Sequence, residues 1–187
     1  MTEIPTEFKE PAKKIHADSL VVVNTGDGRG KSSSAWGIML RALGRDWKVA
    51  VVQYMKSGKW KVGEEAIGIK LGVDWWHIGA GFTWLSEDLS KDAAIAQEAW
   101  NHSKSVINSG NYELVILDEI TYPINYGWIP IDEVISTIQS RPRTTNIVIT
   151  GRNAPEQIME IADTVSRVDN VKHAFQKGIM AKKGIDF

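Results

Sequence analysis

Three short stretches of this 187-residue chain hold the residue types that do chemistry. The first is Thr25-Gly26-Asp27-Gly28-Arg29-Gly30-Lys31-Ser32, with Ser33 following. Glycines let a backbone turn tightly enough to aim several N–H groups at one anion. If a helix starts directly afterwards, its first turn adds partial positive charge. Lys31 then reaches phosphate oxygens, and the Ser32 hydroxyl suits magnesium. The strict phosphate-loop pattern is Gly, four residues, then Gly-Lys-Ser/Thr. Counting back from Gly30 puts Thr25 where the first glycine belongs, so this is a variant loop. It predicts nucleotide binding at Gly26, Asp27, Gly28, Arg29, Gly30, Lys31, Ser32 and Ser33, without fixing the nucleotide or its direction.

The second stretch is Asp118-Glu119, closing the apolar run Leu114-Val-Ile-Leu. Acids at a strand end opposite a phosphate loop hold magnesium, directly or through its waters, so Ser32, Asp118 and Glu119 form the expected metal site. The third is Arg152, which ends Ile149-Thr-Gly-Arg and offers a cation to phosphate alongside Lys31 and Arg29. His77 and His173 stand apart with no spacing that pairs them, and both read as structural.

Elements must bring these stretches together. Leu20–Val23 and Lys48–Tyr54 read as strands buried on both faces. Gly72–Ile78, Glu113–Leu117, Asn146–Thr150 and Thr164–Val168 are further strands. Helices are predicted at Ser32–Leu43 before Gly44, at Ser90–Asn108 with Ser90 as cap and Gly110 as stop, and at Ile131–Gln139 beginning near Pro130. Asn153-Ala-Pro-Glu156 reads as another helix start, with Asn153 as its cap. Alternating strands and helices predict an α/β fold, a mostly parallel central sheet with helices on both faces. In such sheets ligands bind beyond the carboxyl ends of the strands, where all three stretches fall.

Bulk properties bound the rest. Residues 1–18 read as a polar arm and 19–187 as one domain. With Lys plus Arg 22 against Asp plus Glu 23, the net charge is −1, and no global field recruits nucleic acid or a membrane surface. No apolar run has the length of a membrane span, and the N-terminus lacks the apolar centre of a signal peptide. Cysteine is absent, which excludes disulfides, iron–sulfur clusters and thiolate metal sites and fits a cytoplasmic location. Trp75 and Trp76, among eight tryptophans, read as cavity wall or core.

The loop also stands in a longer series. Val51-Val-Gln-Tyr-Met-Lys56, Gly81-Phe-Thr-Trp84, Leu117-Asp-Glu-Ile-Thr-Tyr122, Ile149–Arg152, Ala162-Asp-Thr-Val-Ser166, Val171-Lys-His-Ala-Phe175 and Lys183-Gly-Ile-Asp-Phe187 follow it in order. From about Leu20 to Phe187 the chain resembles the P-loop family of ATP:corrinoid adenosyltransferases. The resemblance implies a RecA-like domain, assembly as a homodimer, and the substrates ATP, with Mg²⁺, and a corrinoid. It implies that ATP lies reversed in the loop, so that its 5′-carbon is attacked by cobalt and triphosphate leaves. Phe82 and Trp84 would line the lower face of the corrinoid and keep a lower ligand off the cobalt. Three departures stand out: Asp27 where the family more often has Asn, Arg29 for a frequent Lys, and Asn153-Ala154 after Arg152 in place of a glycine-containing continuation.

Reduced cobalt is itself the nucleophile, so no protein base is required and Glu119 is better assigned to magnesium. Lys31, Arg152 and Glu119 are expected to carry the reaction. Nothing in the chain stores an electron, so a separate flavoprotein reductase is expected. Two other readings share these motifs. A P-loop kinase or NTPase would attack the γ-phosphate instead, and a non-catalytic corrinoid carrier would keep the fold without turnover.

Overall fold

The computed structural model describes residues 13–55, 62–79 and 89–186. Six parallel strands form one sheet: β1 (Val21–Thr25), β2 (Val49–Gln53), β3 (Asp74–His77), β4 (Leu114–Asp118), β5 (Asn146–Thr150) and β6 (Thr164–Arg167), in the order β3-β2-β4-β5-β1-β6. The α/β architecture predicted from the strand–helix alternation is the one observed.

Helices cover both faces because neighbouring residues of a strand point to opposite sides. On one face Val49, Val51, Leu114, Ile116 and Val148 pack under Ala35, Trp36, Met39 and Ala42 of α1 (Lys31–Leu43). On the other, Ala50, Val52, Val115, Leu117, Ile147 and Ile149 pack against α3 (Leu89–Asn108), α5 (Ile131–Gln139) and α6 (Glu156–Glu160). All five residues of β2 and of β4 are buried, and the first four of each form the apolar run that reads as a strand covered on both faces. Burying each of these valines, leucines and isoleucines stabilises the fold by roughly 1.5–3 kcal/mol. The edge strand β6 differs, since all four of its residues are exposed.

Several local expectations are corrected. Two helices were not legible: α2 (Gly63–Lys70) and α4 (Thr121–Asn125). Leu89 begins α3, so Ser90 lies inside its first turn instead of capping it. Pro155 caps α6, and Asn153 sits before it with φ 50°, in the left-handed region that Asn tolerates. The end of α1 is as predicted, at Leu43 with Gly44 as its cap; Gly44 keeps a helical φ of −68°, and the left-handed residue that follows is Asp46 (φ 59°). Residues 13–18 of the N-terminal arm are exposed, and Asp18 pairs with Arg143.

Candidate active site

The carboxyl ends of β1, β4 and β5 open on a cavity of about 590 Å³. Its lining includes Asp27 to Ser33, Glu119, Tyr122 and Arg152, so the three stretches picked out by residue type meet in one place. The loop leaves β1 at Thr25 and turns through Gly26 (φ 101°) and Gly30 (φ 120°) directly into α1, which Gly30 caps. No side chain caps this helix and its first turn holds no acid, so the positive end of α1 faces the cavity without internal compensation.

Thr25 explains the departure from the strict loop pattern. Its hydroxyl accepts a hydrogen bond from the Ala154 N–H (3.0 Å), tying the loop to the turn that carries Arg152. That turn is braced a second time by α4. Thr121 Oγ1 donates to the Arg152 carbonyl (2.7 Å), and Asn125 Nδ2 donates to the Asn153 carbonyl (3.0 Å). Gly151 (φ 145°) lets Thr121 approach, because a β-carbon there would run into the Thr121 hydroxyl.

Lys31 folds back to donate from Nζ to the Gly28 carbonyl (2.7 Å). Burial, and then the nearby Arg152 guanidinium, hold its ammonium below the usual lysine range, against the opposing pull of Glu119 and Asp27. Two cations thus share a partly desolvated cavity, an arrangement that an anion would stabilise. Arg29 is paired with Asp186 (2.9 Å), and Asp27 is exposed on the cavity's rim.

The two acids occupy different environments. Asp118 is buried, its Oδ1 accepting from Thr150 Oγ1 (2.7 Å) and its Oδ2 from Gln53 Nε2 (2.7 Å). Gln53 in turn accepts from the Trp75 indole N–H (3.0 Å). Glu119 lines the cavity with φ 63°, and its backbone N–H donates to Thr150 Oγ1 (3.0 Å). A left-handed glutamate is a strained conformation, held here by the network around Thr150. Tyr122, one turn further on, has its hydroxyl pushed up by burial and then by Glu119.

Other singled-out residues are placed as follows. Trp75 stacks at 4.9 Å on Trp36, which lines the cavity, whereas Trp76 packs edge-on to His102 at 4.6 Å. His77 Nε2 stands 2.8 Å from Glu65 on α2. Phe82 and Trp84 lie outside the described residues. Among those described, no group of three His, Cys, Asp or Glu is arranged to hold a metal ion.

Residue types alone missed Tyr122, Trp36, Gln53, Thr150 and the C-terminal stretch Gly184–Asp186, all of which line the cavity or brace it. All but Trp36 fall inside the motifs quoted above, but their place at the cavity becomes visible only when the chain is folded.

Residues 17–187 match the family described as ATP:corrinoid adenosyltransferase BtuR/CobO/CobP. The chain belongs to this family. It is 39% identical over 168 residues to the corrinoid adenosyltransferase of Escherichia coli K12, covering 90% of this chain and 85% of that one. The corrinoid adenosyltransferase of Pseudomonas aeruginosa is 41% identical over 170 residues, 90% and 83% of the two chains. The corrinoid adenosyltransferase CobA of Salmonella typhimurium is 39% identical over 168 residues, 90% and 85% of the two. The family is one of P-loop transferases, and the phosphate loop, Glu119 and Arg152 all fall within the matched span.

Proposed function

We propose that this chain transfers the 5′-deoxyadenosyl group of ATP to the cobalt of a reduced corrinoid, in the synthesis or salvage of adenosylcobalamin. A cobalt–carbon bond forms at C5′, the C5′–O bond breaks, and its electron pair leaves with triphosphate. The observation that carries this reading is the joint cavity of phosphate loop, Glu119 and Arg152 in a chain of this family.

Such a reaction asks the protein for in-line placement and for stabilisation of a departing polyanion. Lys31, Arg152 and the open first turn of α1, with the Ser32 and Ser33 amides, supply the positive field. Arg29, held by Asp186 at the edge of the cavity, adds to it. Burial and then the neighbouring Arg152 lower the proton affinity of Lys31, and a polyanion in the cavity would offset both.

The donors present fit magnesium: a hydroxyl at Ser32 and a carboxylate at Glu119 are hard oxygen ligands, and triphosphate and water would complete the shell. Asp118, with both oxygens already accepting hydrogen bonds, acts from behind by fixing Thr150 and through it Glu119. The ion would neutralise charge on the triphosphate.

Phe82 and Trp84 shape the corrinoid side and favour a cobalt without a lower ligand. A separate flavoprotein reductase supplies the electron. The protein works in the cytoplasm as a homodimer. An apolar groove of about 450 Å³, lined by Leu20, Val22, Ile38 and Trp47, supports a self-association surface, which sedimentation equilibrium tests. No helix among the described residues is long and apolar enough to cross a membrane.

The test of the reaction is product analysis with MgATP and chemically reduced corrinoid. Triphosphate and a light-sensitive cobalt–carbon bond are expected. ADP and orthophosphate would instead assign the site to γ-phosphate chemistry.

A further inference from the structure

One wall of the cavity comes from beyond the sheet. After β6 the chain runs back across the phosphate loop: the Val168 N–H donates to the Thr25 carbonyl (2.8 Å), and the Gly28 N–H donates to the Val168 carbonyl (2.7 Å). Further on, Arg29 holds Asp186 by its carboxylate and donates to the Ile185 carbonyl. Between these two ties lies a short 3-10 helix, Ala174–Lys177, capped by His173.

The cap fixes the chemistry of the His173 ring. Its Nδ1 accepts from the Phe175 N–H (3.2 Å), while its backbone N–H donates to Gln176 Oε1 (3.4 Å). A ring nitrogen that accepts carries no proton, so the imidazole proton sits on Nε2. His173 is half-buried and lines the same cavity as Lys31 and Arg152. The cap therefore fixes the tautomer of a ring that lines the cavity, leaving its Nε2–H as a donor outside the capped turn.

We infer that His173 binds the triphosphate portion of the nucleotide, donating a hydrogen bond from Nε2 to a phosphate oxygen. This rests on the adenosyl-transfer reading, in which that portion becomes the leaving group. A donor fixed by the fold needs no reorganisation as charge develops on the departing oxygen, and so stabilises product-like charge as well as ATP. The neutral imidazole complements the charged Lys31 and Arg152, because it binds the anion without adding to the repulsion between those two cations. The ties at Val168 and Asp186 hold His173 over the loop.

The test is calorimetric titration of the full-length protein, in magnesium, with inorganic triphosphate. Wild type, His173→Asn and His173→Ala are compared. Asn is among the best helix caps, so His173→Asn keeps the turn but shortens the reach. A hydrogen bond to a charged group predicts about tenfold weaker triphosphate binding or more in both variants, with the melting temperature of His173→Asn near wild type. Wild-type affinity in His173→Asn would mean that the histidine only caps, and would overturn the inference. Should that variant fold poorly, ¹⁵N-histidine spectra of the wild type decide. Triphosphate should move the His173 Nε2 resonance, and an unmoved resonance overturns the inference. Failure of the wild type itself to bind triphosphate would tell instead against the adenosyl-transfer reading.

Discussion

The phosphate loop and the segment that crosses it, residues 168–186, are built on opposite terms. The loop is strung between a buried strand and a 13-residue helix. The segment has one four-residue 3-10 helix, and its apolar side chains lie largely in solvent, Val171 at 95% and Met180 at 86% exposure. Yet the exposed element helps shape the rigid one. Gly30 is glycine because of its backbone angle: a β-carbon there would meet nothing, but φ is 120°. Gly28 lacks a positive φ and is glycine for a different reason, since a β-carbon would collide with the Val168 and Asp169 backbone. One loop thus contains a glycine that makes a turn and a glycine that admits a neighbour.

Removing the loop's cation should have the largest effect. Lys31→Ala is expected to lower kcat/KM by about 10²–10³ while leaving the melting temperature within a few degrees of wild type. Steady-state kinetics and calorimetry on the same preparation check both halves. Because Lys31 sits below the ordinary lysine range, its charge is lost on raising the pH sooner than a free lysine's would be. The alkaline fall in kcat/KM should accordingly begin at lower pH than for an exposed lysine, and Lys31→Arg should remove that limb.

The two glycines give the sharpest contrast. Gly28→Ala should cost about 1–3 kcal/mol by overpacking against residues 168 and 169, raise the KM for ATP, and expose residues 170–186 to protease. Gly30→Ala should cost a similar amount through backbone strain but leave the segment's protease resistance unchanged. Identical proteolysis of the two variants would mean that the segment does not depend on the loop.

Smaller effects mark the edges of the comparison. Thr25→Val removes the acceptor for the Ala154 N–H and should destabilise by about 1–3 kcal/mol, measured by urea unfolding. Lys104→Met should change stability by less than about 1 kcal/mol, because the Lys104–Glu133 pair is partly exposed. The Lys104 hydrogen bond holds Glu133 below the usual carboxylate range. Its contribution is therefore present above the unfolded-state value and lost as pH falls through the folded one.

Much of this was legible in the sequence because the signals were local. The alternation of apolar runs with helical segments shows the sheet, since β2 and β4 are buried along their whole length. The spacing of Gly30-Lys31-Ser32 shows the loop, and Asp118-Glu119 shows the strand end that faces it. What stayed hidden depends on tertiary neighbours. The helix α4 is five residues long with Pro123 inside it, too short for a period to register. The helix α2 is bracketed by glycine and exposes Ile67 and Ile69, so no apolar face distinguishes it. That Asp118 would be enclosed by Gln53 and Thr150 while Glu119 turned to the cavity follows from three strands meeting, and adjacent acids carry no sign of it. Nor does Thr25 announce its bond to Ala154, a residue 129 positions away.

If the loop holds a leaving group, the bond that breaks is C5′–O. ATP carrying ¹⁸O in the 5′ bridging position, turned over with reduced corrinoid, tests this directly by mass spectrometry. All of the label should depart in triphosphate while the adenosyl carbon is bound to cobalt. Label retained on the nucleoside, in ADP released with orthophosphate, would contradict it.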